Sequence, residues 1–289
     1  MKIALSSGLR DTGRLQVDGA QIHYEVCGQG PAIVFAHGLG GNQTSWWQQV
    51  GHFSKTHTCV SFSHRGFAPS TVEGNPPDPR RYADDLAALI DHLKLGPVCL
   101  VGQSMGGWTV VEYCLRHPQR VRGLVLSATI GSISPDRIAG LDPVAMADWQ
   151  KAADQAVAQC LEQQVHPACG LSMAREQSAL HLLYQQIDEQ ARNLDKEAIR
   201  GGLYAMRVRA PADLAATGVP VLLISPQQDI VIPPLALGAL AQEVPGARLI
   251  EISNAGHSPY FERAQVFNQH LSDFLNEIDG DRARHSNRR

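Results

Sequence analysis

Short apolar, β-branched runs alternate with helical patterns along most of this chain, and that alternation leaves few folds open. Pro31 to Ala36 (PAIVFA), His57 to Phe62 (HTCVSF), Val98 to Gly102, Val121 to Ser127, Val219 to Ser225 and Arg248 to Ile252 read as buried strands. Tyr82 to Leu95, with Leu86, Leu89, Ile90 and Leu93 at helical spacing, and Met105 to His117 read as helices, stopped by Gly96-Pro97 and by Pro118. A helix near Leu235 to Gln242 and a last one from about Tyr260 to Ile278 continue the pattern. Strands joined through helices pair in parallel. The expectation is therefore an α/β fold, a mostly parallel sheet flanked by helices. Arg14 to Asp18 and Gln21 to Cys27, around Gly19 and Ala20, add a strand pair at the front.

The pattern breaks once. From about Ser132 to Ala216 the strands vanish, and Met146, Trp149, Ala153, Ala156 and Cys160, then Leu180, Leu183, Ile187, Ala191 and Leu194, recur at helical spacing. The domain reading is thus a core of 1–132 and 216–279, an all-helical insertion over 133–215, and a frayed tail over 280–289 (GDRARHSNRR). A length of 289 residues is ample for one large sheet with an insertion.

Lys and Arg number 25 against 28 Asp and Glu, a formal charge of −3. No basic field exists to grip a phosphate backbone or an anionic membrane, so neither nucleic acid nor membrane is expected as a partner, and a small-molecule substrate is. No run reaches the ~18 apolar residues of a membrane helix. The N-terminal MKIALSSGLR is too short for a signal h-region, so a cytoplasmic protein is expected. Cys27, Cys59, Cys99, Cys114, Cys160 and Cys169 lie mostly among Val and Leu, as buried free thiols of a reducing compartment do. Cys160, His166 and Cys169 have zinc-like spacing but no fourth ligand nearby, so no metal or other cofactor is expected.

Gly102-Gln103-Ser104-Met105-Gly106 matches G-x-S-x-G, a short pattern that chance can also supply. Its setting gives it weight: it follows the strand Val98 to Val101 and opens a helix, where a sharp turn lifts a serine hydroxyl clear of the sheet. A serine needs a base, and the base needs an orienting carboxylate. Asp229 lies just beyond the strand Val219 to Ser225, and His257 just beyond Arg248 to Ile252; both sit at the sheet edge where such folds gather their sites. The order Ser104, Asp229, His257 suits this architecture. The other acid considered is Asp136; the end of the strand Val121 to Ser127 offers none. For the oxyanion, His37-Gly38-Leu39-Gly40-Gly41 follows the strand Pro31 to Ala36, and the N–H groups of Leu39 and Met105 are the candidate donors.

With HGLGG, GQSMGG, the Asp229 loop and NAGHSPYFE in this order, the chain resembles the α/β-hydrolase family from about residue 14 to 278. Where that family commonly shows D-x-R-G-x-G-x-S, this chain has Ser63-His64-Arg65-Gly66-Phe67-Ala68-Pro69-Ser70, and Pro226 stands where a glycine often precedes the acid. The helical insertion resembles the family's cap, which excludes water and shapes an apolar pocket. Trp149, Leu183, Tyr184 and Met206 are expected either to line that pocket or to form the cap's own core, and His64 and Arg65 either to touch substrate or to brace the fold. The resemblance implies a cofactor-free serine hydrolase of an ester, lactone or thioester. A carbon–carbon bond hydrolase of ring-cleavage products would use the same three residues, although its usual HGSGPG-like turn and a Trp after the histidine are replaced here by HGLGG and Ser258. A small-molecule receptor on the same fold is the third possibility.

Overall fold

A computed structural model describes residues 10–74 and 76–286. Nine strands form one sheet: β1 (Asp11–Val17), β2 (Ala20–Cys27), β3 (Ala32–Ala36), β4 (Thr58–Phe62), β5 (Thr71–Val72), β6 (Val98–Gln103), β7 (Val121–Ser127), β8 (Val221–Pro226) and β9 (Arg248–Ile252). Their order is β1-β2-β4-β3-β6-β7-β8-β9, with β5 against β2. β2 runs antiparallel to β1, β4 and β5, and every pairing from β4 to β9 is parallel. This is the α/β fold expected from the alternation of periods.

The central strands are buried on both faces, which is why they are continuous apolar runs. Ala32, Val34 and Ala36 of β3 join one core, which α2 (Tyr82–His92), α3 (Met105–Arg116) and α9 (Pro234–Glu243) cover with Leu86, Leu89, Val110, Val111, Leu237 and Leu240. Ile33 and Phe35 of the same strand face a second core. It is covered by α1 (Trp47–Phe53), α10 (Pro259–Glu262) and α11 (Ala264–Ser286), through Phe53, Phe267, Leu271 and Phe274.

Between β7 and β8 the chain leaves the sheet for α4 (Pro143–Glu162), α5 (Leu171–Glu176), α6 (Ser178–Glu189), α7 (Lys196–Ala205) and α8 (Pro211–Ala215). Its two ends meet. Ile133 and Arg209 form a parallel bridge, the Ser134 N–H donates to the Arg209 carbonyl at 2.8 Å, and the Arg209 N–H donates to the Ser132 carbonyl at 3.2 Å. Arg209 also clasps buried Glu112 of α3 with two hydrogen bonds of 2.9 and 2.8 Å.

The departures from the sequence reading that reshape an element fall at three places. α2 stops at His92 rather than Leu95, because Lys94 turns into the left-handed region at φ 53° to aim the chain at β6. The last helix is two: Arg263, at φ −129° and ψ 48°, breaks α10 from α11. The backbone of 280–286 continues α11, where a frayed tail was expected, and 287–289 lie outside the described residues. All six cysteines are free thiols, five of them buried. Among the described residues no helix is long and apolar enough to cross a membrane.

Candidate active site

The stretch Val98 to Cys114 is buried at every residue except Ser104. Ser104 joins β6 to α3 with φ 47° and ψ −118°, outside the regions a residue with a Cβ ordinarily occupies. Such strain costs on the order of 1–3 kcal/mol and persists only where the surroundings enforce it. Glycine makes the turn possible. A Cβ on Gly102 would lie 2.6 Å from Val110 Cγ2 and 2.7 Å from the Gly106 carbonyl oxygen, and one on Gly106 would run into the carbonyl of Ala36 on the neighbouring strand.

Because β3 pairs with β6 at Ala36 and Gly102, the turn after β3 lies beside Ser104. Leu39 of that turn, Ser104 and Met105 line one cavity of about 290 Å³ together with His257. Met105 opens α3, so its N–H belongs to the first turn, whose amides have no carbonyl partner within the helix. Of the five residues proposed for the chemistry, Ser104, His257, Leu39 and Met105 line this cavity, and Asp229 lies behind His257.

Asp229 is buried, and its carboxylate meets His257 Nδ1 at 2.9 Å through Oδ2 and at 3.1 Å through Oδ1. Oδ1 also accepts the backbone N–H groups of Val231 and Ile232 at 2.8 and 2.9 Å, which fixes the plane of the carboxylate. The alternative acid, Asp136, is exposed on a turn at Pro135–Arg137. β9 lies three strand spacings from β6, roughly 14 Å, so the loop after β9 must carry His257 back across the sheet.

Two residues that sequence reasoning did not single out hold that loop. Glu262 is buried and accepts N–H bonds from Gly256 (2.8 Å), Ser258 (3.0 Å) and Gly170 of the insertion (2.9 Å), bracketing His257 and tying it to the helical layer. Burial pushes the Glu262 carboxyl above the usual range, against the pull of those three bonds. Gln103, next to Ser104, donates from Nε2 to the His257 carbonyl at 3.0 Å, and its Oε1 fills the place a side chain on Gly38 would need. The only trace of either in the sequence was the E of NAGHSPYFE and the Q of GQSMG.

The turn after β3 rests on two buried histidines. The His64 backbone N–H donates to His37 Nε2 at 2.9 Å, so Nε2 carries a lone pair and Nδ1–H donates to the Gly38 carbonyl at 2.8 Å. His64 Nδ1–H then shares that lone pair at 3.0 Å, and its Nε2 accepts from the Thr109 hydroxyl at 2.9 Å. Burial pulls His37 down to about 4, and His64 is pulled well below its ordinary value by burial and by His37. Both are neutral braces. Arg65 is a brace as well, held by Asp85 at 2.7 and 2.6 Å. Ser63, where the family commonly has aspartate, accepts the Gln43 backbone N–H at 3.2 Å and donates to the Gln43 side chain at 2.5 Å.

From the insertion, the cavity is lined by His166, Pro167, Ala168, Asp188, Lys196, Arg200, Leu203 and Tyr204. Of the four residues considered for this wall, Tyr184 packs edge-on against Phe261 and meets the Ser258 hydroxyl at 3.0 Å, while Leu183 and Met206 pack into apolar clusters. Trp149 lines a neighbouring cavity and donates to the Asp229 carbonyl at 3.3 Å. Among the described residues no group of three or more His, Cys, Asp or Glu is placed to hold a metal ion. His166 is engaged elsewhere, accepting from the Ala168 N–H at 3.1 Å and facing Asp188 at 3.6 Å.

A strand-to-helix serine, a buried Asp–His pair and a glycine-rich turn, all at the carboxyl edge of this sheet, define a class, and comparison with known proteins agrees. Residues 31–264 match the family model of the alpha/beta hydrolase fold, and the chain belongs to that family of hydrolytic enzymes. An uncharacterized hydrolase of Bacillus subtilis is 32% identical over 117 residues, 40% of this chain and 43% of that protein, so the match spans less than half of that relative. The 3-oxoadipate enol-lactonase 2 of Acinetobacter baylyi is 25% identical over 88% of this chain and 92% of its own length. The solved enol-lactonase of Burkholderia xenovorans superposes with a TM-score of 0.70 at 26% identity, covering 91% of this chain and all of that one.

Proposed function

We propose that this alpha/beta hydrolase cleaves an ester or lactone of a small, largely apolar substrate through an acyl-enzyme on Ser104. The observation that carries the reading is a partly exposed serine, strained at φ 47°, in one cavity with a histidine whose far nitrogen is bonded to a buried carboxylate. In this reading Asp229 keeps the proton on His257 Nδ1, which leaves Nε2 free as a base. Ser104 Oγ attacks the carbonyl as His257 takes its proton, and the proton passes to the departing alkoxide. Water then repeats the cycle on the acyl-enzyme and releases the acid. The N–H groups of Leu39 and Met105 receive the oxyanion at both stages. Leu39, Met105, Trp108, Leu203, Val231 and Ile232 give the cavity its apolar walls, which suits a hydrocarbon acyl chain. Identity of about 25% to an enol-lactonase over nearly the whole chain supports the ester and lactone class.

A fluorophosphonate probe tests the reading. It is expected to label one serine, Ser104, with release of p-nitrophenol from short acyl esters lost in step with labelling. Labelling that persists in Ser104→Ala overturns the assignment of the nucleophile, and absence of turnover across esters and lactones overturns the substrate class.

A further inference from the structure

The catalytic cavity shares Tyr204, Val231 and Ile232 with an adjoining one of about 100 Å³, which Arg207 also lines. The guanidinium of Arg207 lies over two rings, 5.0 Å from the centre of Trp108 and 4.6 Å from that of Tyr204, and both rings also border the catalytic cavity. Its Nε is buried without a hydrogen-bond partner, and no carboxylate among the described residues acts on it. Other cations of this fold are treated differently. Arg65 is held by Asp85, Arg209 by Glu112 and Arg122 by Asp279. The two cations on the catalytic cavity itself are also matched, Lys196 by Asp188 at 2.7 Å and Arg200 by Glu197.

Arg207 is partly exposed, and even partial desolvation of a cation without a counter-charge is costly, a cost that stacking on aromatic faces recovers only in part. The stacking does more than compensate: it holds the guanidinium plane and leaves its N–H edge to meet a planar, two-oxygen acceptor. Burial draws the Arg207 pKa below its ordinary value, and an arriving anion reverses that pull. Met105, Trp108, Val231 and Ile232 give the catalytic cavity apolar lining, and Val231 and Ile232 also line the cavity of Arg207.

We infer that Arg207 is a carboxylate-recognition residue, and that the substrate is a monoester or lactone of a dicarboxylic acid, its free carboxylate on Arg207 and its scissile carbonyl at Ser104. The inference rests on the serine-hydrolase reading and adds the polarity of the substrate's far end.

The test compares a p-nitrophenyl monoester of a medium-chain dicarboxylic acid with the neutral p-nitrophenyl ester of the same chain length. Wild type is expected to favour the anionic ester in kcat/KM. In Arg207→Met the anionic-to-neutral ratio should fall by roughly tenfold to a hundredfold, the range one charge-assisted hydrogen bond supports, with most of the change in KM. Arg207→Lys should restore part of it, and added salt should lower the wild-type ratio. A ratio near one in wild type, or one unchanged in Arg207→Met while the melting temperature drops, reduces Arg207 to packing and overturns the inference. A binding measurement separates the two readings: calorimetry of Ser104→Ala with the methyl monoester of the same dicarboxylic acid should show binding that Ser104→Ala/Arg207→Met lacks. If wild type hydrolyses neither ester but that pattern holds, the hydrolase reading fails and the carboxylate site stands. If the double variant binds as well as Ser104→Ala, the site fails.

Discussion

Lowering the pH from 7.5 to 5 should destabilise this fold through two histidines that have no room for a second proton. His37 Nε2 already faces two N–H groups of His64, and its Nδ1–H is committed to the Gly38 carbonyl. A proton on Nε2 would oppose two donors in a fully buried site. Its pKa is accordingly pulled from 6.5 to about 4, with burial as the main cause. The sign follows from which state takes up protons. As pH falls below 6.5 the unfolded chain protonates His37 and the folded one does not, so stability falls until the folded group titrates near pH 4. The loss from His37 alone is about 2 kcal/mol at pH 5 and approaches about 3 kcal/mol below pH 4, at 1.36 kcal/mol per pKa unit. His64 acts in the same direction. Urea unfolding followed by tryptophan fluorescence at several pH values measures it. His37→Gln, whose amide oxygen can accept from His64, should be less stable at pH 7.5 yet lose less on acidification. Parallel pH curves for wild type and His37→Gln would refute the reasoning.

Asp229→Asn should fold and bind yet lose about four orders of magnitude in kcat, because Oδ1 is held by the Val231 and Ile232 amides and the new NH₂ must take the place of Oδ2, donating to His257 Nδ1 and forcing the proton onto Nε2. Stopped assays with melting curves check it, and kcat within tenfold of wild type sinks it. Gly106→Ala should cost at least about 1–3 kcal/mol from overpacking, since its Cβ would sit 2.6 Å from the Ala36 carbonyl carbon; an unchanged unfolding midpoint would contradict the close approach. Glu262→Ala leaves three buried N–H groups without their acceptor and should lower the melting temperature and kcat together. Loss of stability alone, with kcat intact, would mean that the His257 loop holds itself.

The sheet and the four features of the proposed site could be read because each depends on local sequence. β3 and β6 are unbroken apolar runs, and Gly102 and Gly106 flank a serine at the strand-to-helix switch, so the turn could be read without its neighbours. Asp229 and His257 could be found from their places just after β8 and β9. What was not legible depends on contacts between distant segments. Glu262 acts on Gly170, 92 positions away, and Gln103 on His257, 154 positions away, and neither partner leaves a periodic mark. His64 was weighed for substrate contact because a histidine near the carboxyl edge carries no sign of the direction it faces; the structure turns it to His37 and Thr109. Arg207 carries no mark in the sequence, since the lack of a partner shows only once the acids around it have been placed. The bound at His92 was missed for a related reason: Leu93 keeps the helical spacing although Lys94 has already left the helix.

The bridge between Ile133 and Arg209 bears on how this chain tolerates change. A segment whose ends are fastened to each other, and to Glu112 of α3, presents itself to the folding sheet as a closed loop. Closing such a loop costs entropy that grows only logarithmically with its length, about 0.6 kcal/mol per doubling. Residues can therefore be gained, lost or rearranged between these two anchor points at little expense to β7 and β8, so long as the fastening itself survives. Variation in what the enzyme accepts can accumulate there while the strands that carry Ser104, Asp229 and His257 remain under the stricter demands of packing.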